Sequence, residues 1–409
     1  MMPPRTTDLP ENVVNAILMR LPLRDAMRTS ILSKKWRYNW CRLPQLTLDD
    51  KLWKTTDNFP SPSIKFASIM YSILTLHCGP VTKFTLSMSE LKKYPQIGSL
   101  IYFLSRNGIE HLVLQFSEWN RYKLPPSFFT CSQLRHLTLQ NCLICPPPAF
   151  KGFDMLISLE LCYVSISSTS LESLISCSPF LENLVLKISD TVNHIQIKAP
   201  NLRSFDFSGF IKLISLNNVP LLAKLSLLYG ESFEESEKCD LDKFFQSHHA
   251  LEHLRLEYGS VQFLVAEVPR RLSLALNHLK RLCVFLDGLD DLSCALCLLR
   301  SSPYLQDLDV KVSMDESDDE ADDISTSFSD VTLNHVRTVK VKGITGTKLD
   351  MQLIKLLLAK SPMLVRMLIE PDFYWVNKEK GAEILAELST FQRASRKAEI
   401  VYQLEREWN

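Results

Sequence analysis

The sequence lacks a charge excess of either sign, a long apolar run and an N-terminal signal. Its 409 residues carry 46 Lys and Arg against 46 Asp and Glu, so no electrostatic attraction to nucleic acid or to an anionic membrane is predicted. No uncharged apolar run approaches the length of a membrane-spanning helix, and residues 1–10 lack the apolar core of a secretory signal. We therefore expect an intracellular protein of the cytoplasm, the nucleus or both, with no nucleic-acid or membrane partner.

Motifs of catalysis and metal binding are also missing. The sequence has no N-x-[ST] sequon, no G-x-S-x-G and no H-E-x-x-H. Two C-x-x-C pairs resemble halves of a zinc site, but nearly 150 residues separate Cys145 from Cys294, whereas structural zinc motifs are compact. We interpret these pairs, and the odd total of eleven cysteines, as reduced thiols of the core or connectors. No enzyme, no cofactor and no metal is predicted.

Two further segments contain residues that could hold a ligand. His248, His249 and His253 form a histidine cluster, but no carboxylate or cysteine joins them in a known motif, so a solvated connector is the preferred interpretation. Residues 343–348 contain two glycines and a lysine without the G-x-x-x-x-G-K-[ST] spacing that cradles phosphate. We predict a turn there.

The N-terminal segment, residues 8–40, has more apolar residues than so small a unit can bury. Asp8 is a candidate N-cap, Glu11 completes a capping-box pattern, and Pro22 is predicted to end the first helix. The apolar residues of that helix follow at i, i+3, i+4 and i+7: Val14, Ile17, Leu18 and Leu21.

Two more helices are predicted in the same segment. Residues 24–32 favour a second helix, and Ser33 is placed to cap a third that holds Trp36 and Trp40 one turn apart. A unit of about forty residues rarely builds a self-sufficient core without metal, disulfide or partner. The surplus apolar face therefore predicts a protein partner.

This pattern resembles the F-box, the adaptor-docking motif of cullin-RING (SCF-type) ubiquitin ligases. Ala26, Ser30, Ser33 and Lys34 match the motif, with Ser33 where many F-boxes carry Cys, as in many plant members. The resemblance implies that a further set of matching residues docks a Skp-family adaptor, or shapes the unit that does: Leu9, Pro10, Val14, Ile17, Leu18, Leu21, Pro22, Leu23, Leu32 and Trp36.

Beyond residue 80 a short phrase recurs, apolar-x-x-apolar-x-apolar. Residues 134–142 match L-x-x-L-x-L-x-x-[NC] in full, and gaps of 20 to 31 residues separate the copies, near the leucine-rich-repeat range of about 20–29. Each copy predicts a short parallel strand whose alternate residues point into a core shared with its neighbours. The twelve copies begin at Val81, Ile109, Leu134, Leu156, Leu181, Leu202, Leu222, Leu251, Leu279, Leu305, Val336 and Leu364.

The connectors between copies vary. Helices are predicted at residues 168–176, 241–247 and 294–300, and several copies follow a turn that ends in proline. Most copies lack the final Asn or Cys of the consensus: Ser189, Gly230, Gly259 and Asp287 stand there. These departures indicate an irregular solenoid of α/β class.

Five segments are predicted from these patterns. They are an F-box at 1–48, a linker with a capping helix (64–76) at 49–80, the leucine-rich-repeat solenoid at 81–314, an acidic flexible loop at 315–330, and a C-terminal segment at 331–409. A block of like charges is typical of a loop or linker. Capture of a basic partner, or phosphorylation at Ser317, is the alternative for that loop.

The C-terminal segment has its own order of elements. Strand phrases at 336–341 and 366–369 alternate with helices predicted at 350–360 and 378–391. The pattern S-P-x-L…L-x-I, a helix and R-A-S-x-x-A resembles the FBD domain, and nearly the whole chain then resembles plant F-box/FBD/LRR proteins. Its strand phrases are also compatible with a simple extension of the solenoid.

The resemblance implies a non-catalytic substrate-recognition subunit that joins a cullin, through its adaptor, to an unknown target protein. Arg203, Lys224, Arg255 and Arg281 occupy variable positions of successive strand phrases, so they are candidate target-binding residues. Two alternatives remain open: a co-receptor for a small hormone-like molecule, and an interaction scaffold outside any ligase.

Overall fold

A computed structural model describes residues 9–34, 36–52, 62–88, 97–118, 121–229, 241–257, 268–313 and 324–403. The chain divides into two compact units, one up to Leu202 together with Ile214–Asn218, the other made of Arg203–Leu213 and the chain from Val219. No helix within the described ranges is long and apolar enough to cross a membrane. The α-helices are α1 (Glu11–Leu18), α2 (Leu23–Arg28), α3 (Pro62–Leu76), α4 (Ile97–Arg106), α5 (Ser168–Ser176), α6 (Leu241–Ser247), α7 (Leu289–Ser301), α8 (Lys348–Lys360) and α9 (Lys378–Thr390).

The start of α1 differs from the predicted capping box. The N-cap residue is Pro10, which offers no side-chain hydrogen bond, and Asp8 lies outside the described residues. Glu11 instead accepts a hydrogen bond of 3.0 Å from Arg42. This exposed ion pair ties the first helix to the end of the N-terminal segment.

The end of α1 comes earlier than predicted. Pro22 was expected to terminate the helix, but α1 ends at Leu18, and Leu21 N donates to Leu18 O in a tighter turn. The residue before a proline is disfavoured from helical backbone angles. Pro22 acts instead as the N-cap of α2.

The second and third predicted helices are also shorter. A 3₁₀ turn at Thr29–Ile31 continues α2. No α-helix follows in the described part of this segment, where turns lead into a 3₁₀ turn at Asn39–Arg42. Ser33 caps no helix, since its buried Oγ makes no hydrogen bond among the described residues. Trp36 and Trp40 are both buried. Backbone hydrogen bonds of the tighter i-to-i+3 kind replace those of an α-helix here: Trp36 N donates to Ser33 O, and Leu43 N donates to Trp40 O.

In the first unit, six strands pair in parallel, in chain order. A separate parallel pair joins β4 (Tyr122–Lys123) to β6 (Cys142–Leu143). Five of the six strands coincide with the predicted repeat phrases, which are thereby confirmed. The six are β1 (Gln45–Leu48), β2 (Lys83–Ser87), β3 (His111–Gln115), β5 (His136–Gln140), β7 (Ser158–Cys162) and β8 (Asn183–Lys198).

The sixth strand, β1, lies outside the predicted solenoid of 81–314. Leu43, Leu46 and Leu48 nevertheless form the same apolar phrase, all three are buried, and β1 pairs in parallel with β2. Since α3 joins these two strands, the predicted linker and capping helix of 49–80 contain the connector of the first repeat. The sheet therefore begins inside the segment that was assigned to the F-box.

In the second unit, eight strands pair in parallel, again in chain order. The phrases of the predicted C-terminal segment form β14 and β15 of this ladder, so they extend the solenoid. β16 has no predicted counterpart. The eight are β9 (Ser204–Asn217, within this unit up to Leu213), β10 (Lys224–Tyr229), β11 (His253–Leu256), β12 (Arg281–Leu286), β13 (Asp307–Val312), β14 (Thr338–Ile344), β15 (Arg366–Pro371) and β16 (Glu399–Tyr402).

The connectors agree well with the expected helices. α5 and α6 have the predicted bounds, whereas α7 begins five residues before the predicted 294. The acidic block at 315–323 lies outside the described residues. Residues 324–330, predicted as part of the loop, fold as turns that bury Ile324 and Phe328.

The core of both units comes from the alternation of side chains along the strands. In β12, Leu282, Val284 and Leu286 are buried at every second position. The intervening residues project from the opposite side, and parallel register aligns them across neighbouring strands. The repeats thus build a face of outward-pointing side chains in ordered rows.

Candidate functional sites

The N-terminal helices expose a cluster of apolar side chains, which we call the docking surface. Ile31 is 86% exposed and Leu32 is 58% exposed, although both belong to the most apolar residue types. Eight exposed apolar side chains on so small a unit are typical of a protein interaction site. Its members are Leu9, Val13, Ile17, Met19, Leu21, Ile31, Leu32 and Tyr38.

The ten residues predicted for adaptor docking fall into two groups. Val14, Leu18, Leu23 and Trp36 are buried and shape the unit from inside. The other six are exposed and available for direct contact: Leu9, Pro10, Ile17, Leu21, Pro22 and Leu32.

Four residues of the docking surface were not predicted as contacts: Val13, Met19, Ile31 and Tyr38. A signal for Ile31 was present in the sequence. With Leu23 and Ala26 filling the inner side of a short helix, the adjacent pair Ile31 and Leu32 cannot both be buried. The exposure of Tyr38 could not be predicted from the sequence. It results from the turn in which this residue lies, and helical spacing from Trp36 does not apply there.

Backbone hydrogen bonds attach the docking unit to the first repeat. Thr82 N and Lys83 N donate to Pro44 O at 2.9 and 3.0 Å, and Cys78 N donates to Cys41 O at 3.0 Å. Buried His77 forms a hydrogen bond of 3.0 Å between its Nε2 and Leu43 O. The docking surface is thus fixed to the sheet of the first unit.

The second unit carries an open groove of about 540 Å³ on the outward face of β9 to β14. Its lining comes mainly from two rows of residues in register. The first row is Ser204, Lys224, His253, Arg281 and Asp307. The second row is Asp206, Ser226, Arg255, Cys283 and Asp309.

Several charges of the groove are paired. Arg281 donates to Asp307 at 3.1 Å, and Lys342 contacts Glu370 at 3.3 Å. Arg255 forms an ion pair with Glu257. All these pairs are partly exposed, so each contributes no more than about 1 kcal/mol.

Burial and neighbouring charges perturb the groove's titratable groups. Burial, reinforced by Arg281 and Lys224, lowers the pKa of His253. Burial raises the pKa of Asp309 despite the nearby Lys342, and it raises the pKa of the Cys283 thiol to about 11. At neutral pH the histidine and the thiol are therefore uncharged, and the groove's positive charge comes from lysine and arginine.

Three of the four predicted target-binding residues lie together. Lys224, Arg255 and Arg281 line the groove, whereas Arg203 is exposed just before β9 and is not part of the lining. Arg203 shares the parity of the inward-facing Phe205, so it does not belong to the outward rows. The structure therefore separates it from the other three.

The candidate metal residues do not converge. Among the described residues, no group of three or more His, Cys, Asp and Glu side chains is arranged to hold a metal ion. Cys142 is buried and Cys145 exposed. His248, predicted in a solvated connector, is instead buried, and its Nδ1 hydrogen-bonds Phe244 O at 2.6 Å.

The backbone amides of the glycine-containing loop 343–348 bind a carboxylate side chain of the same chain. Asp350 Oδ2 accepts hydrogen bonds from the backbone N–H groups of Thr345, Gly346 and Thr347, at 2.9 to 3.3 Å. Thr347 completes a capping box at the start of α8. These amides are therefore occupied by an internal hydrogen-bond partner, in agreement with the predicted turn.

Comparisons with known proteins agree with this architecture. A family model for the F-box domain matches residues 7–46, and a model described as FBD-associated F-box protein At5g56370, LRR repeats, matches residues 97–310. In Arabidopsis thaliana, F-box/FBD/LRR-repeat protein At1g13570 is 33% identical over 409 residues, covering 97% of each chain. F-box/FBD/LRR-repeat protein At5g53840 of the same plant is 25% identical over 436 residues, covering 97% of this chain and 95% of that protein.

The fold and the docking surface thus define an F-box protein with a leucine-rich-repeat solenoid. The chain belongs to the plant F-box/FBD/LRR-repeat family. This combination of domains supports a role of the substrate-receptor type in an SCF ubiquitin ligase.

Proposed function

We propose that this protein is a non-catalytic substrate receptor. Its docking surface binds a Skp-family adaptor, and through it a cullin, while its solenoid binds a target protein. Binding brings the target close to the ubiquitin-loaded enzyme and raises its effective concentration there. The chain acts in the cytoplasm or nucleus and needs no active site of its own for this role.

The exposure of the docking surface is the observation that carries the proposal. Ile31 and Leu32 project from a unit whose inner positions are already filled by Leu18, Leu23 and Ala26. An apolar groove on an adaptor would cover them, as in other helix-in-groove contacts. The residues that receive this partner are therefore surface residues, and changing them need not disturb the core.

The test replaces Ile31 and Leu32 together by Asp and measures recovery of a plant Skp-family adaptor with the purified chain. We expect recovery to fall by about tenfold or more, because two exposed anchors are lost and charge is introduced into an apolar contact. A matched control replaces Met363 and Val365 by Asp. Both are 55% exposed apolar residues of the second unit.

Equal adaptor recovery by the two double variants would contradict the proposal for this surface. Far-ultraviolet circular dichroism confirms that each variant remains folded. Recovery of the cullin with the wild-type chain distinguishes a ligase subunit from a scaffold that contacts the adaptor alone.

The alternative of a small-molecule co-receptor receives less support from the groove. Among the described residues that line it, Phe205 supplies the one phenyl ring, and that residue points toward the core. Binding sites for small molecules are mostly apolar with a few polar groups. The rows of Lys, Arg, Asp and Ser favour a polar segment of a protein instead.

A further inference from the structure

The groove of the second unit concentrates positive charge on its middle strands, β10 to β12, between Asp206 on β9 and Asp309 on β13. Lys224, His253 and Arg281 follow one another in the first row on β10, β11 and β12. Arg255 stands in the second row, next to Cys283 in register. Neighbouring strands are about 4.8 Å apart, so the backbones of Lys224 and Arg281 are about 10 Å apart. One anionic side chain placed over His253 can reach both cations.

The protein's own carboxylates leave part of this charge uncompensated. Arg255 and Arg281 are paired with Glu257 and Asp307, whereas Lys224 makes no ion pair within the described part of the chain. A guanidinium has five N–H donors, so an arginine with one carboxylate partner can still bind a second. The same two cations flank His253, whose pKa is lowered first by burial and then by Arg281 and Lys224.

We propose that this basic middle part of the groove binds an acidic stretch of the target protein, with Asp or Glu carboxylates placed between Lys224 and Arg281. The inference rests on the proposed function, and it names the chemical class of target segment that the groove binds. Charge complementarity fixes which segment binds and accelerates encounter.

The carboxylates on both sides of the basic strands set the length of that stretch. Asp206 on β9 and Asp309 on β13 line the groove there, and they repel acidic residues that extend beyond β10 or β12. Six strands span about 24 Å, the length of about seven extended residues. We therefore expect about three acidic residues over β10 to β12, with neutral or basic residues on both sides of them.

The binding test uses the full chain in complex with its adaptor and fluorescent twelve-residue Gly/Ser peptides. The centre of each peptide is Asp-Glu-Asp, Lys-Arg-Lys, Ser-Gln-Ser or a single phosphoserine. We expect anisotropy to show binding of the Asp-Glu-Asp peptide alone, or of that peptide together with the phosphoserine peptide. Affinity should fall by about fivefold or more between about 50 and about 300 mM salt, since exposed charges are screened.

The variant K224E tests the site, and K83E is its matched control. Lys83 has the same first-row position on β2 of the first unit. We expect K224E to weaken Asp-Glu-Asp binding about tenfold, and K224E with R281E to abolish it, while K83E changes it less than about twofold.

Several results would overturn this inference. They are binding of the phosphoserine peptide alone, equal binding of acidic and neutral peptides, or equal losses for K224E and K83E. The proposed function fails separately, through loss of adaptor recovery. Both groove variants should retain the adaptor fully, because they leave the docking surface unchanged.

Discussion

The two units use the same parallel ladder, but their outward rows differ in chemistry. In the first unit the second row is mostly uncharged, with Thr47, Thr85, Val113 and Thr138 on successive strands before Glu160. The corresponding row of the second unit reads Asp206, Ser226, Arg255, Cys283 and Asp309. Inward positions are leucine-rich in both. The repeat therefore fixes the inward residues and leaves the outward rows free to carry recognition.

One outward pair of residue types occurs in both units, so the two units can be compared by the same measurement. A lysine stands beside a histidine in the first row, Lys83 with His111 and Lys224 with His253. In the first unit His111 also stacks on His136, with ring centroids 4.2 Å apart, whereas in the second unit Arg281 follows His253. The histidine of this pair therefore has an aromatic neighbour on its other side in the first unit and a cationic neighbour there in the second.

The largest expected effect comes from one glycine in each unit. Gly152 has φ +97° and Gly343 has φ +78°, and a Cβ would overlap Cys177 or the Val312 carbonyl oxygen, respectively. We expect G152A and G343A each to lower the free energy of unfolding by about 4 kcal/mol. Thermal unfolding with limited proteolysis should locate the damage in the first unit for G152A and in the second for G343A.

A third glycine supplies the control. Gly108 has φ +70°, but a Cβ there would meet nothing within 4 Å. G108A should therefore cost only about 1 kcal/mol, the price of the left-handed backbone alone. Cleavage spread evenly over the chain in G152A and G343A would contradict a local origin of the damage.

Buried polar side chains that anchor loops should produce the next largest effect. Asp350 accepts from three backbone amides in the second unit, whereas Asn141 in the first unit donates one bond of 2.9 Å to Phe116 O. Chemical denaturation should show a loss of about 3 kcal/mol for D350A and about 2 kcal/mol for N141A. Equal losses would indicate that backbone strain at Asn141, with φ 55°, outweighs the difference in hydrogen bonds.

Histidine titration compares the two lysine–histidine pairs directly. Burial and then neighbouring positive charge lower the folded-state pKa of His111 and His253. The folded chain thus binds fewer protons than the unfolded chain. The contribution of each histidine to stability is therefore fully present above the unfolded pKa of about 6.5, and it is lost as the pH falls from there through the lower folded-state pKa. Nuclear magnetic resonance should show K83A raising the pKa of His111 and K224A raising that of His253, each without effect on the other histidine.

The smallest effect concerns the ion pairs that distinguish the second unit's rows. D307N removes the partner of Arg281, at 3.1 Å in a partly exposed pair. We expect a loss of stability below about 1 kcal/mol, reduced further by salt. The same change frees Arg281 and should strengthen binding of the Asp-Glu-Asp peptide. Weaker peptide binding in D307N would show that the ion pair orients the guanidinium.

The strands were predictable because their alternation is short, strong and repeated. All twelve phrases form strands. β1 was not predicted, although Leu43, Leu46 and Leu48 carry the same phrase, because that phrase lies within the range predicted as the helical N-terminal motif. The N-terminal helices were predicted too long because apolar spacing continues through the turns that follow Leu18 and Arg28, and so it does not report where each helix ends.

The site was only partly predictable. Parity along the strand identifies Lys224, Arg255 and Arg281 as outward residues, and the same rule would have removed Arg203, which shares the parity of Phe205. The rows themselves depend on register between strands separated by connectors of different length. That register, and therefore the grouping of Asp309 with Lys342 at one end of the groove, follows from the folded sheet.

The position of β1 has a practical consequence for truncated versions of this protein. Removing residues 1–48, a natural way to separate the two proposed binding functions, would also remove β1 and leave the edge of β2 unpaired. Open edges of this kind promote aggregation, and Phe84 and Leu86, now fully buried, would lose neighbours on that side. Surface substitutions at Ile31 and Leu32 avoid this damage, so they are the better way to test the proposed docking surface while the sheet stays intact.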